Sequence, residues 1–209
     1  MIEVFKNTWL SDGEYVAPSI KVINNAIDNP QELINIAKNA PKDRWTRSAI
    51  GGDMEFNESI RSSNEISIPY GLKYPPEFFN IAQKIYLYAQ QYASENLFTF
   101  THMEEITMLE YPIGEGYYDR HTDQGPDFPR AMSAILYLND VEEGGGTWFD
   151  KFDLMINPEA GKLLLFPSNF PYTHQAMPPT SGPKYILVTW FGMQINPSSL
   201  ERYYGNDNR

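Results

Sequence analysis

The chain has 209 residues, 42% hydrophobic and 21% charged, which suits one folded domain with a sizeable core rather than a disordered chain. Its formal net charge of −11 disfavours a phosphate backbone as partner, because the short cluster Lys42, Asp43, Arg44 and Arg47 is diluted by acid. Cysteine is absent, so disulfides and thiolate metal sites are excluded, and any metal must be held by His, carboxylate or carbonyl oxygen.

The start, Met1 to Lys6, lacks the basic and apolar pattern of a secretory signal, and no run of about 18 apolar residues occurs. The expectation is a cytoplasmic protein with no membrane span. Ile20 to Ile23 reads as a short strand. Asn29-Pro30-Gln31-Glu32 then reads as a helix start, with Asn29 as N-cap, Pro30 at the first helical position and Glu32 reaching back. Arg44 to Ile68 is polar and without period, so it is expected to be a long loop with short strands, a lid candidate. Pro76 to Tyr92 carries Ile81, Ile85, Tyr88, Ala89 and Tyr92 on one stripe, which predicts a helix packed on a sheet.

After Phe98 short apolar runs alternate with turn signals. The runs are Ile106 to Tyr111, Tyr117 to His121, Ala131 to Leu138, Thr147 to Phe149, Phe152 to Ile156, Lys162 to Phe166, Tyr172 to His174 and Tyr185 to Phe191. About eight such strands predict an antiparallel sandwich or barrel, and helices followed by strands give an α+β order. The expected organisation is one domain: a helical and lid part over about 1–98, a β core over about 99–195, and a tail over about 196–209.

Only three histidines occur, His102, His121 and His174. His121-Thr122-Asp123 would place an imidazole and a carboxylate on one face of a strand, since residues two apart share a face. With a second imidazole this is the donor set of a facial iron(II) triad. Such a pair alone also arises by chance in a surface turn. His174 follows the apolar run Leu163 to Phe166. Ten residues later Lys184 opens the last strand. A lysine buried near such a site needs an anion, which a dicarboxylate co-substrate would supply, with the Tyr137 hydroxyl sharing the carboxylate. His102 has no partner at metal spacing.

The run from Glu105 to Phe191 resembles the catalytic core of the prolyl 4-hydroxylase-like branch of the 2-oxoglutarate/iron(II) dioxygenases. The similar stretches are Tyr111-Pro112, Tyr118 to Asp123, Ala134 to Asn139, Glu143 to Phe149, Pro158 to Pro167, and His174 with Gly182-Pro183-Lys184 through Trp190-Phe191. Ile20 to Lys38 and Arg61-Ser62-Ser63 resemble the same family more weakly. The resemblance implies a double-stranded β-helix (jelly-roll) core of about eight antiparallel strands, with N-terminal helices packed on one sheet. It implies iron(II) held by His121, Asp123 and His174, 2-oxoglutarate held by Lys184 and Tyr137, Tyr111 lining the co-substrate pocket, and Trp190 packing near the distal histidine. Dioxygen would be the oxidant, and ascorbate an accessory reductant.

Arg130 matches a position that faces substrate in some relatives, or is a surface arginine at a strand start; Thr147 supports the site. The implied reaction is hydroxylation of a C–H bond in a prolyl or other residue of a peptide or protein, or in a free amino acid or similar small molecule. Since Asp123 fills the carboxylate position, hydroxylation is favoured over halogenation. Two alternatives differ in class. A non-catalytic metal- or sugar-binding β-barrel has no use for Lys184 and Tyr137, and a nucleic-acid demethylase would need basic grooves. The loop Gln124 to Pro129 and the segment Trp45 to Glu58 match nothing firm and are expected to set substrate choice. The sequence leaves the oligomeric state open.

Overall fold

The computed structural model describes residues 10–50, 56–68, 75–125 and 128–193. The expected tail and Asp127 lie outside the described residues. In the N-terminal part, β1 (Glu14–Ala17) and β2 (Ile20–Ile23) form a hairpin, followed by α1 (Pro30–Lys38). The short strands β3 (Thr46–Arg47), β4 (Arg61–Ser62) and β5 (Asn64–Ile68) precede the long helix α2 (Pro76–Glu95). The core then runs through β6 (His102–Met103), β7 (Ile106–Tyr111), β8 (Tyr117–His121), β9 (Arg130–Tyr137) and β10 (Thr147–Phe149). It ends with β11 (Leu154–Ile156), β12 (Leu163–Pro167), β13 (His174–Ala176) and β14 (Lys184–Gly192).

Two antiparallel sheets face one another as a jelly roll. The large sheet has the order β1-β2-β12-β9-β14-β7-β5-β3, with β6 also on β14; the small sheet has the order β11-β10-β13-β8-β4. The N-terminal part therefore supplies edge strands to both sheets as well as helices. Alternation along the large sheet builds two cores. Ala134, Leu136, Leu163, Leu165 and Leu187 face outward, where they pack with Leu33, Ile34, Ile85, Tyr88 and Tyr92 of the helices. Ile135, Tyr137, Leu164, Phe166, Ile186 and Val188 face inward, with Phe149 and Ile156 of the small sheet. Both faces being buried explains why β12 reads as an unbroken apolar run rather than an alternating one.

Several local expectations shift. Asn29 occupies the N-cap of α1 but in the left-handed region, φ 50°, and its side chain makes no capping bond. Its carbonyl instead accepts from the Glu32 amide at 3.0 Å. In α2 the buried stripe runs through Phe78, Ala82, Ile85, Tyr88, Ala89, Tyr92 and Ala93, with Ile81 only half-buried. β11 starts at Leu154, two residues later than the apolar run, because Asp153 turns through positive φ.

Candidate metal centre and its cavity

The inward face of the large sheet and the facing small sheet enclose one end of the jelly roll, and the chemistry gathers there. β8 ends at His121 and β13 starts at His174, and the two histidines are paired neighbours across the ladder. Asp123 follows β8 by two residues. Ligand atoms of His121, Asp123 and His174 all lie within 4.8 Å of one another. Oδ1 of Asp123 is 3.5 Å from Nε2 of His121, and Oδ2 is 3.8 Å from Nε2 of His174.

Each imidazole is oriented by its own strand. Nδ1 of His121 sits 2.7 Å from the Asp119 carbonyl, and Nδ1 of His174 sits 3.1 Å from the Tyr172 carbonyl. A carbonyl can only accept, so both Nδ1 atoms carry the proton and both Nε2 lone pairs are turned to the centre. Tyr118 stacks on His121 at 3.6 Å between ring centroids, and Phe149 and Phe166 flank His174. Burial, then the neighbouring His121, pushes His174 down to about 4, against the opposing pull of Asp123 and the Tyr172 carbonyl. Burial alone would raise the Asp123 carboxyl, but His174, His121 and Ser133 outweigh it and hold it far below the ordinary carboxylate range. At neutral pH His174 is thus a neutral imidazole and Asp123 a carboxylate, the states a metal needs of them. Two nitrogens and one carboxylate oxygen, with no thiolate, fit iron(II). His102 lies apart on β6, with Nδ1 3.2 Å from the Thr101 hydroxyl.

The triad opens on a cavity of about 390 Å³ whose wall includes Tyr111, Thr147, Lys184, Arg61, Arg130 and Trp190. Lys184 opens β14 opposite Tyr111 and is 1% exposed. Its ammonium donates to the Gly145 carbonyl at 2.7 Å and lies 4.1 Å from the Tyr111 ring centroid. Among the described residues no carboxylate pairs with it. Burial accordingly pulls its pKa down to about 7. A sealed cation without an anion is costly, so this wall fits a ligand carboxylate.

Gly145 reaches Lys184 because Gly144 and Gly145 both take positive φ. A Cβ on Gly144 would come 2.3 Å from the Pro178 carbonyl.

Tyr137 is fully buried, and its hydroxyl lies 2.7 Å from that of Thr147. Thr147, expected only to support the site, is the member of this pair that reaches the cavity wall. Burial first, against the Thr147 bond, keeps the Tyr137 phenol well above its ordinary value and so protonated. Tyr111 is also buried in the wall and is pushed up to about 12, chiefly by burial.

Arg130 sits in the cavity wall rather than on open surface. It grips Glu104 at 2.7 and 2.6 Å, and its guanidinium lies 3.6 Å from the Trp190 ring centroid. The Trp190 indole N–H is buried and has no partner among the described residues. Arg61, flagged by sequence only through a weak resemblance, adds a second guanidinium, bonded to the Ala49 carbonyl and lying over Tyr118.

A jelly roll carrying two histidines and one carboxylate, beside a cavity with a buried lysine that no carboxylate pairs with among the described residues, fits the site of a mononuclear iron(II) oxygenase with a carboxylate co-substrate. Residues 106–192 match the 2OG-Fe(II) oxygenase superfamily. The chain is 33% identical over 119 residues to "Probable prolyl 4-hydroxylase 9" of Arabidopsis thaliana, covering 43% of this chain and 41% of that one. It is 26% identical over 180 residues to prolyl 3-hydroxylase 2 of Homo sapiens, covering 72% of this chain and 24% of that one. It therefore spans well under half the length of these two relatives. A Trichoplax adhaerens prolyl hydroxylase, solved with a peptide fragment of the hypoxia inducible factor oxygen degradation domain, shares the fold. There the TM-score is 0.70 with 17% identity, over 90% of this chain and 88% of that one. Over residues 106–192 this chain is thus similar to the 2-oxoglutarate/iron(II) oxygenases of the prolyl hydroxylase kind, a superfamily that works with iron(II), 2-oxoglutarate and dioxygen.

Proposed function

We propose that the protein hydroxylates a prolyl residue within a peptide or protein. The observation that carries this reading is that one cavity joins the triad to a buried lysine with no carboxylate partner among the described residues. His121, Asp123 and His174 hold iron(II). Lys184 binds the distal carboxylate of 2-oxoglutarate as a point charge, and the Tyr137–Thr147 hydroxyl pair orients it. Bound together, iron, 2-oxoglutarate and dioxygen supply the oxidising power for C–H hydroxylation. The protein's own part is to fix donor geometry, exclude water and place the substrate carbon.

Beyond the triad, Arg61, Arg130, Phe128 and Trp190 form a wall of cations and aromatic faces. Aromatic faces suit a pyrrolidine ring, and the guanidinium and indole donors suit the peptide carbonyls beside it. Prolyl hydroxylases among the relatives, and the peptide held by the Trichoplax enzyme, support a peptide over a free amino acid.

The test is turnover of a panel of proline-containing peptides and free amino acids, read as succinate release together with a gain of one oxygen atom. Peptide hydroxylation at proline with free proline inert is the expected result. Hydroxylation of only the free amino acid would overturn the substrate class. Asp123→Ala or His174→Ala should abolish turnover through loss of the metal, read by metal content of the purified chain.

A further inference from the structure

Asp123 is the single carboxylate of the triad, and one of its two oxygens is already engaged. Ser133 Oγ donates to Asp123 Oδ2 at 2.5 Å. Behind it, Ser168 Oγ lies 2.8 Å from Ser133 Oγ. A hydroxyl has one proton, so once Ser133 gives its proton to the carboxylate, Ser168 must donate to Ser133. The order is Ser168 to Ser133 to Asp123, each bond polarising the next.

Both serines are fully buried. Ser133 sits mid-sheet on β9, between Phe166 of β12 and Trp190 of β14. Ser168 is tied at both ends: its N–H donates to the Ala131 carbonyl at 3.1 Å, and its carbonyl accepts from the Gln124 amide at 3.0 Å. That second bond anchors the residue next to Asp123 itself. The relay is therefore built on the rigid large sheet, while the carboxylate hangs from the turn after β8.

We propose that Ser133, backed by Ser168, is a positioning residue for the metal centre. It occupies Oδ2 so that Asp123 presents Oδ1 as a one-oxygen ligand, and it keeps the carboxylate from chelating through both oxygens. A two-oxygen grip would consume a coordination place that co-substrate or dioxygen needs. Partners of this kind orient a ligand and set its affinity, and losing one costs a metal site about 10- to 100-fold. The inference rests on the reading of His121, Asp123 and His174 as the metal site.

The experiment uses the full chain stripped of metal, with Co(II) as an oxygen-stable probe. Affinity is measured by chelator competition and coordination by the visible d–d absorption. Wild type should take one Co(II) per chain. Ser133→Ala should bind about 10- to 100-fold more weakly and with an altered d–d band, and Ser133→Thr should restore both. Ser168→Ala should move both readouts the same way by a smaller factor, and it carries the test if Ser133→Ala does not fold. Wild-type affinity and spectrum in Ser133→Ala, or in Ser168→Ala should that variant stand alone, would overturn the relay. Asp123→Ala separates the two readings. If it loses Co(II) while Ser133→Ala does not, only the relay is wrong. If it keeps Co(II), the metal-centre reading falls and the relay with it.

Discussion

At the scale of single residues, Lys184 has the sharpest consequence. Burial brings its free pKa down to about 7, whereas a carboxylate placed against it favours the charged form and raises that value. Binding 2-oxoglutarate should then take up close to one proton at about pH 8 and almost none at about pH 6, by linkage. Affinity is flat below pH 7, then falls up to about tenfold per pH unit above 7 until the raised value of the complex is reached. Calorimetry of 2-oxoglutarate binding in buffers of different ionisation heat measures the proton count. Lys184→Ala should abolish the uptake and raise the 2-oxoglutarate requirement while leaving the metal bound. Turnover by that variant at wild-type co-substrate levels would refute the anchor. That His121, Asp123 and His174 cluster was legible in the sequence because histidines are few, but Asp123 sits in the turn after β8 and not on the strand face the His-x-Asp spacing suggested. Ser133 and Ser168 were not legible, and Thr147 was expected only to support the site: serine and threonine are common, and the partner of a buried hydroxyl is fixed only when distant strands meet.

At the scale of elements, the apolar runs between 106 and 191 became strands with ends moved by at most two residues, because each inward or outward position is filled by one of two cores. The short strands β3 to β6 left no such signal, since strands of two to five residues need little apolar pattern to pair. The helical layer is held by a contact that sequence spacing does not reveal. Lys21, buried on β2, donates to both carboxylate oxygens of Glu95 at the end of α2, at 2.9 and 2.7 Å. Burial would raise the Glu95 carboxyl, but Lys21, Tyr15 and Gln91 outweigh it and leave the pKa lowered from 4.5. A lowered folded value means this stabilisation is complete above the unfolded value and is lost as pH falls through the folded one. Lys21→Met should cost roughly 1–3 kcal/mol at pH 7. The gap from wild type should close as the pH drops below 4.5. Urea titrations at pH 7 and in acid give the two gaps, and a gap that stays constant would show that Glu95 is not the partner at stake.

At the scale of the whole molecule, the two halves of the proposed site lie on opposite sheets. The metal residues belong to the small sheet and the turn after β8, whereas Lys184 opens β14 in the large sheet. Any ligand that spans from the triad to Lys184 ties the sheets together across the inner core at the open end of the jelly roll. Metal alone contacts one sheet, so its stabilisation should not depend on Lys184. Co-substrate added to the metal-loaded chain should contribute a second increment that does depend on it. At a hundredfold excess over its Kd a ligand that binds only the folded state adds about 2.7 kcal/mol, a rise in Tm of roughly 5–10 °C for a chain of this size. Anaerobic melting curves of wild type and Lys184→Ala, each without metal, with metal, and with metal plus 2-oxoglutarate, separate the increments. Wild type should rise in two steps. Lys184→Ala should keep the first step and lose most of the second at the same ligand concentration. An equal second step in both would mean that the co-substrate is held without reaching β14. The buried lysine would then need a different anion to account for its place in the wall.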